Sequence, residues 1–234
     1  MKDSNRSIVR NLTILGTFGA LFYVLHVVLG GILWKGYNHI MQPISDLTAA
    51  GAPDRVLLGR ITLAYALCSI IFAVCAYLYL RKSVPKVTRA GMITFIAMHL
   101  VSLSYSWFPQ DLPGSAVTFA GTMHLVVTGL IVPLTICSPL LIGLGLRKLP
   151  RFRSFAVYSI ITSIILFFAG GTTAILFANK LPYFGLFERI NIGSLQIWML
   201  AFSLVLFLDK GGTSPTSADR ETMRGAKASS PSSR

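Results

Sequence analysis

Three histidines stand inside long apolar stretches: His26, His99 and His124. At 1.5 Å per helical residue, His26 lies about 12 Å from Trp34, His99 about 13–14 Å from Phe108, and His124 about 10 Å from Val117. Ionisable residues inside a membrane usually face the bundle interior or a cavity. At one level, the three imidazoles could supply a zinc ion with three nitrogens and leave a fourth position for water. Asp46 or Asp111 could then act as a general base, or as a partner behind a histidine. The same histidines could equally be structural, each bonded to a neighbouring hydroxyl or carbonyl. No His-x-x-x-His pair occurs in the chain, nor a Gly-x-Ser-x-Gly elbow or a phosphate-cradling glycine loop. A zinc-dependent intramembrane lipid hydrolase built on His26, His99 and His124 is therefore the second reading. The first has no metal or other cofactor: His26, Asp46, His99, Asp111, His124 and Arg189 line an outward-opening polar pocket for a lipid headgroup or small polar ligand. A structural or regulatory protein without pocket chemistry is the third.

The loops leave further alternatives open. Ser45 and Asp46 suit a turn or a helix N-cap, and Asp54 suits a cap on the helix after it. The segment from Tyr37 to Arg55 could re-enter the mouth of a bundle, provided protein or water covers its backbone. Asp111 could cap the next helix or point toward His124. Arg189 could pair with Asp46 or Asp111, bind an anionic headgroup, or anchor its helix at the interface. His99, Ser102 and Ser106 share one helical face; His124 and Thr128 share another.

The elements that must position these residues are legible from composition. Of 234 residues, 53% are hydrophobic and only 12% charged, about half the charge of an ordinary soluble domain. Six segments without Lys, Arg, Asp or Glu are long enough to cross about 30 Å of hydrocarbon as helices. They are Asn11–Trp34, Ile61–Leu80, Ala90–Phe108, Val117–Leu146, Ser154–Ala178 and Ile190–Leu208. Ten-residue alternating segments, the mark of a transmembrane barrel, are absent. The expected fold is an all-α bundle of six transmembrane helices, with a kink or break at Pro133 and Pro139. The first span carries His26, lacks a small-residue cleavage site, and reads as a retained helix. Cys68, Cys75 and Cys137 all fall within spans and read as packing residues.

The net charge of +13 raises the question of nucleic acid. Placement answers it: 16 of the 21 Lys and Arg fall in the N-terminal segment, the second and fourth loops and the tail. That bias sets orientation, so both termini are expected in the cytoplasm of a cell-membrane protein, and nucleic acid needs no place. Membrane lipids are the expected partners. Asp46, Asp54, Asp111 and Glu188 all fall on the opposite, outer side. The chain divides into a cytoplasmic segment 1–10, a membrane domain 11–208, and a Ser-, Gly- and Pro-rich tail 209–234 expected to be disordered.

Together, several segments have a familiar pattern: Gln42-Pro43-Ile44-Ser45-Asp46-Leu47, Gly51-Ala52-Pro53, Phe108-Pro109-Gln110-Asp111, His124 and Gly185-Leu186-Phe187-Glu188-Arg189. They resemble a prokaryotic integral membrane family, domain-of-unknown-function family 998, over roughly residues 10–208. The Pro-Ile-Ser-Asp segment also faintly resembles the Frag/DRAM/Sfk membrane proteins, likewise six-helix. The resemblance implies six helices and a polar outer site around Asp46, Asp111, His124 and Arg189, and carries no activity with it. The orientation is checked by an Asp111→Cys variant. It is expected to react with an impermeant maleimide on intact cells, and labelling only after lysis would reverse the topology.

Overall fold

The computed structural model describes residues 3–209. The expected disordered tail, 209–234, lies outside the described residues except for Asp209. The described residues form seven α-helices: α1 (Asp3–Leu12), α2 (Leu15–Leu33), α3 (Arg55–Leu80), α4 (Lys86–Ser102), α5 (Phe119–Leu146), α6 (Arg153–Ala178) and α7 (Phe184–Phe207). Short 3-10 turns span Ile44–Thr48, Leu103–Ser106 and Pro150–Phe152, and no strand occurs among the described residues. Among the described residues, six helical stretches are long and apolar enough to cross a membrane, the first formed by α1 and α2 together over Ser4–Leu33. The chain is an all-α, multi-pass membrane protein. Helices are the form that lets a single segment satisfy its own amides where no water is available.

The helices outrun the apolar runs. α3 begins at Arg55 rather than Ile61, and α7 at Phe184 rather than Ile190. Hydropathy marks only the part that meets hydrocarbon, whereas helical hydrogen bonding continues into the polar layer. Most of the segment 1–10, expected as a cytoplasmic N-terminal segment, lies in α1, which meets α2 at a break over Thr13 and Ile14. Ser203 of α7 donates to the Thr13 carbonyl at 2.7 Å and also accepts the Thr17 N–H at 3.0 Å, so the break leaves these groups partnered. α5 runs through Pro133 and Pro139 as one helix, and the expected break does not occur. α4 ends at Ser102 and tightens to a 3-10 turn, which takes Ser106 off the face that a continuous helix would share with His99.

Successive helices from α2 to α7 pack on one another, and α2 also packs on α7, so the six close a ring. An aromatic cluster fills the half of the ring nearer the described chain ends. Phe72, Phe95, Trp198 and Phe202 are all but inaccessible. Phe95 meets Trp198 edge-on at 5.3 Å, and Phe155 stacks on Phe202 at 5.1 Å. Trp198 donates its indole N–H to Ser159 at 2.9 Å, which removes the penalty of burying it. Below this cluster, Tyr79 donates to the Asp209 carboxylate at 3.0 Å, and Arg151 lies 3.4 Å from the same group. The outward surface is apolar, with Phe168, Ile197 and Phe167 all more than half exposed, as hydrocarbon requires.

Close helix approach depends on small residues, because lipid supplies little hydrophobic drive between helices. At Gly143 of α5, an added Cβ would meet the Ala156 backbone carbonyl of α6 at 2.7 Å. Gly143→Val is expected to lower stability by about 1–3 kcal/mol through overpacking. A melting curve in detergent reads this directly, and an unchanged midpoint would show that the α5–α6 contact can yield.

Candidate functional site

At the end where α2 leads into α3, the chain does not simply turn. Residues 34–54 fold back into the mouth of the ring, and Ile44, Asp46, Leu47 and Ala49 are buried there. Irregular backbone at such depth needs partners for its amides and carbonyls, and two other segments provide them. From α7, Arg189 Nη1 donates to the Gln42 carbonyl at 2.9 Å, and Glu188 accepts the Ile44 N–H at 2.6 Å. Arg189 Nη2 donates to the Tyr37 hydroxyl at 2.6 Å, and that hydroxyl donates to the Pro43 carbonyl at 2.6 Å. Burial pushes Tyr37 up to about 12, with Arg189 opposing, so it keeps the proton that it donates. From the α4–α5 connection, Gln110 donates to Asp46 at 2.9 Å, accepts from the Ser45 hydroxyl at 2.5 Å, and takes the Ala50 N–H on its carbonyl at 3.0 Å. Gly185 makes room for this plug: a Cβ there would collide with the Gln42 carbonyl.

Several expected contacts take a different form. Arg189 pairs with neither Asp46 nor Asp111. Its position in the first turns of α7 puts it beside the carbonyls of Gln42 and Gly185, the latter at 2.9 Å. Ser45 and Asp46 lie within the 3-10 turn and bond Gln110 rather than capping a helix. Asp54 precedes α3 but makes no side-chain capping bond; its carbonyl takes the Leu58 N–H at 3.0 Å. Asp111 turns to Thr118, accepting from its N–H and its hydroxyl at 2.8 Å each. Thr118 in turn caps α5 by accepting the Gly121 N–H at 3.0 Å. His124 takes the Phe108 carbonyl at 2.9 Å, a bond that needs its proton on Nδ1.

His26, His99 and His124 are all buried in the bundle, at 3%, 1% and 9% exposure. Their surroundings differ. His124 lies against the Tyr105 ring at 4.6 Å, and Tyr105 shares a hydrogen bond with Thr128 at 2.9 Å. His26 and His99 flank a pair of tyrosines: Tyr23 meets His26 at 5.9 Å and Tyr65 at 5.0 Å, and Tyr65 meets His99 at 6.1 Å. Both ring nitrogens of His26 and of His99 are buried without a hydrogen-bond partner. Gln196 joins this group by donating to the Tyr65 hydroxyl at 3.3 Å, and its own Oε1 is likewise unpartnered. Among the described residues, no three His, Cys, Asp or Glu side chains gather as a metal ion would need.

A groove of about 320 Å³ runs between α2 and α7, beside the exposed apolar side chains Leu21, Val24, Val28 and Ile197. Val24, Val27, Val28, Ile197 and Leu200 make it almost wholly apolar; Tyr23 and Gln196 bring the only polar side chains besides Arg189 at its upper end. Tyr23 and Gln196 thus form both the groove wall and the front of the buried polar group. They were not singled out from sequence, although a glutamine inside an apolar span is itself a signal of an inward-facing site. Tyr37 offered no such signal, since its role arises from a loop that folds back.

Burial pushes Asp46 up to about 6, against hydrogen bonds from Gln110 and Gln42 that hold it down. Its unfolded value is about 3.9. The folded protein therefore holds the proton more tightly, and stability rises as pH falls from about 6 to about 4. Asp46→Asn is expected to melt higher than the parent at pH 7–8 and to lose this slope. Parallel melting profiles from pH 4 to 8 would show that Asp46 does not carry it.

The segments that build this end are the ones whose pattern stood out in sequence: residues 42–47, 108–111, His124 and 185–189 bond one another or their immediate neighbours. No curated protein and no solved structure matches the chain. The model of a family described as "Protein of unknown function (DUF998)" matches residues 17–205. Most of the membrane domain, including the plug, the groove and the buried polar group, falls within that match, and the chain belongs to the DUF998 family.

Proposed function

We propose that this protein binds a membrane lipid in the groove between α2 and α7, without a metal or other cofactor. The observation that carries the reading is the groove itself. It is apolar, opens onto the lipid-facing surface, and ends beneath a hydrogen-bonded polar plug, as a site for a lipid chain would. Leu21, Val24 and Val28 beside it are about half exposed, and Ile197 is 63% exposed. Acyl chains are the solvent at this face. In this reading Asp46, Asp111 and Arg189 shape the end of the site by holding the plug and α5 in place. His26, His99 and His124 contribute its buried polar side. The plug end faces outward, both termini are cytoplasmic, and the protein resides in the cell membrane, as the distribution of Lys and Arg favours.

Gly193 lies in the groove wall, and a Cβ added there would find no atom within 4 Å. Gly193→Phe should therefore fill the groove without disturbing the ring. Native mass spectrometry of the parent in mild detergent is expected to show about one retained lipid per chain. The variant is expected to lose it at an unchanged melting midpoint. Equal lipid on both would refute the groove reading. A parent dimer that the variant disrupts would instead assign this face to self-association.

A further inference from the structure

Resting on the reading of the groove as a lipid site, we infer that its ligand is a neutral lipid whose head carries a hydroxyl, seated beside Gln196 and Tyr23 below the headgroup layer. Gln196 stands seven residues beyond Arg189 on α7, about 10 Å further from the plug. Its Oε1 is an acceptor without a donor, on a side chain only 3% exposed. His26 lies behind Tyr23, and His99 one ring further in behind Tyr65, with four more unpartnered ring nitrogens at 3% and 1% exposure. Buried polar atoms in native proteins are overwhelmingly paired, and an unpaired group calls for a partner. A hydroxyl fits Gln196, which lines the groove, because it donates to an acceptor such as Oε1.

Charge selects against the common phospholipids. Among the described residues, Arg189 is the only charged one lining the groove. Three hydrogen bonds already commit its Nη1 and Nη2 to Gln42, Gly185 and Tyr37. Nothing else in the wall could neutralise a phosphate, and an ionic head is costly at this depth. An uncharged alcohol loses far less on leaving the interface and regains it at Gln196.

The test uses full-length protein in detergent, titrated with three probes of equal chain length and read by native mass spectrometry. They are monooleoylglycerol, methyl oleate, which lacks a hydroxyl, and oleoyl lysophosphatidylcholine, which is zwitterionic. Monooleoylglycerol is expected to bind at least tenfold more tightly than either other probe. Gln196→Met is expected to erase its advantage over methyl oleate, and Gly193→Phe to abolish binding of both. If monooleoylglycerol and methyl oleate bind the parent equally and only Gly193→Phe removes them, the groove stands and the hydroxyl inference falls. Preference for the lysophospholipid also overturns it. If no probe binds, the lipid reading itself falls.

Discussion

A backbone amide without a partner in hydrocarbon costs several kcal/mol, and that constraint shapes this molecule from its spans to its mouth. In the six spans it is met by helix formation. The segment 34–54 has no helix long enough to meet it alone, yet Ile44, Asp46, Leu47 and Ala49 are buried. Its polar groups are satisfied instead by side chains reaching across from α7 and from the α4–α5 connection. Arg189, Glu188 and Gln110 are the partners that let irregular chain lie where it does. An arginine suits the task because its rigid fork reaches two carbonyls and a hydroxyl at once.

This has a consequence for how charge is used. A sequence with Asp46, Asp111, Glu188 and Arg189 on one side suggests an ionic site. The folded protein uses these side chains on its own frame. Asp111 holds Thr118, Glu188 holds the Ile44 amide, and Arg189 holds Gln42. Besides Asp46 Oδ2 and Arg189 Nε at the plug, unpartnered polar capacity remains on uncharged side chains deeper in the ring, among them His26, His99 and Gln196. Closure of the ring by α2 on α7 brings that capacity to the edge of a lateral groove, so chemistry and access meet at a seam between the first and last spans.

The sequence was most informative where one physical quantity dominates. Uncharged runs of about 20 residues specify spans, and all six occur. It was less informative at their ends, because hydropathy does not register a helix that continues into the polar layer, as α3 and α7 do. At α5 it offered a kink or a break, and the break does not occur: two prolines cost hydrogen bonds, but packing against both neighbours keeps the helix whole. Among the candidate site residues, burial of the three histidines followed from depth, whereas the partner of each did not. Pairings between residues more than a hundred positions apart, such as Gln42 with Arg189, leave no local trace.

By itself, the amino-acid sequence determined an all-helical membrane protein of six spans, with four of its eight acidic side chains in the loops beyond one end of them. Those properties follow from composition and from the length a helix needs to cross a bilayer. Only the tertiary structure decided that the first and last spans meet, that the 34–54 segment plugs the mouth, and that a groove opens beside Gln196 and Tyr23. The physical reason is that a span can face lipid or protein around its whole circumference at similar hydrophobic gain. Which face turns inward is therefore set by small-residue contacts and hydrogen bonds between helices, which exist only once the chain has folded.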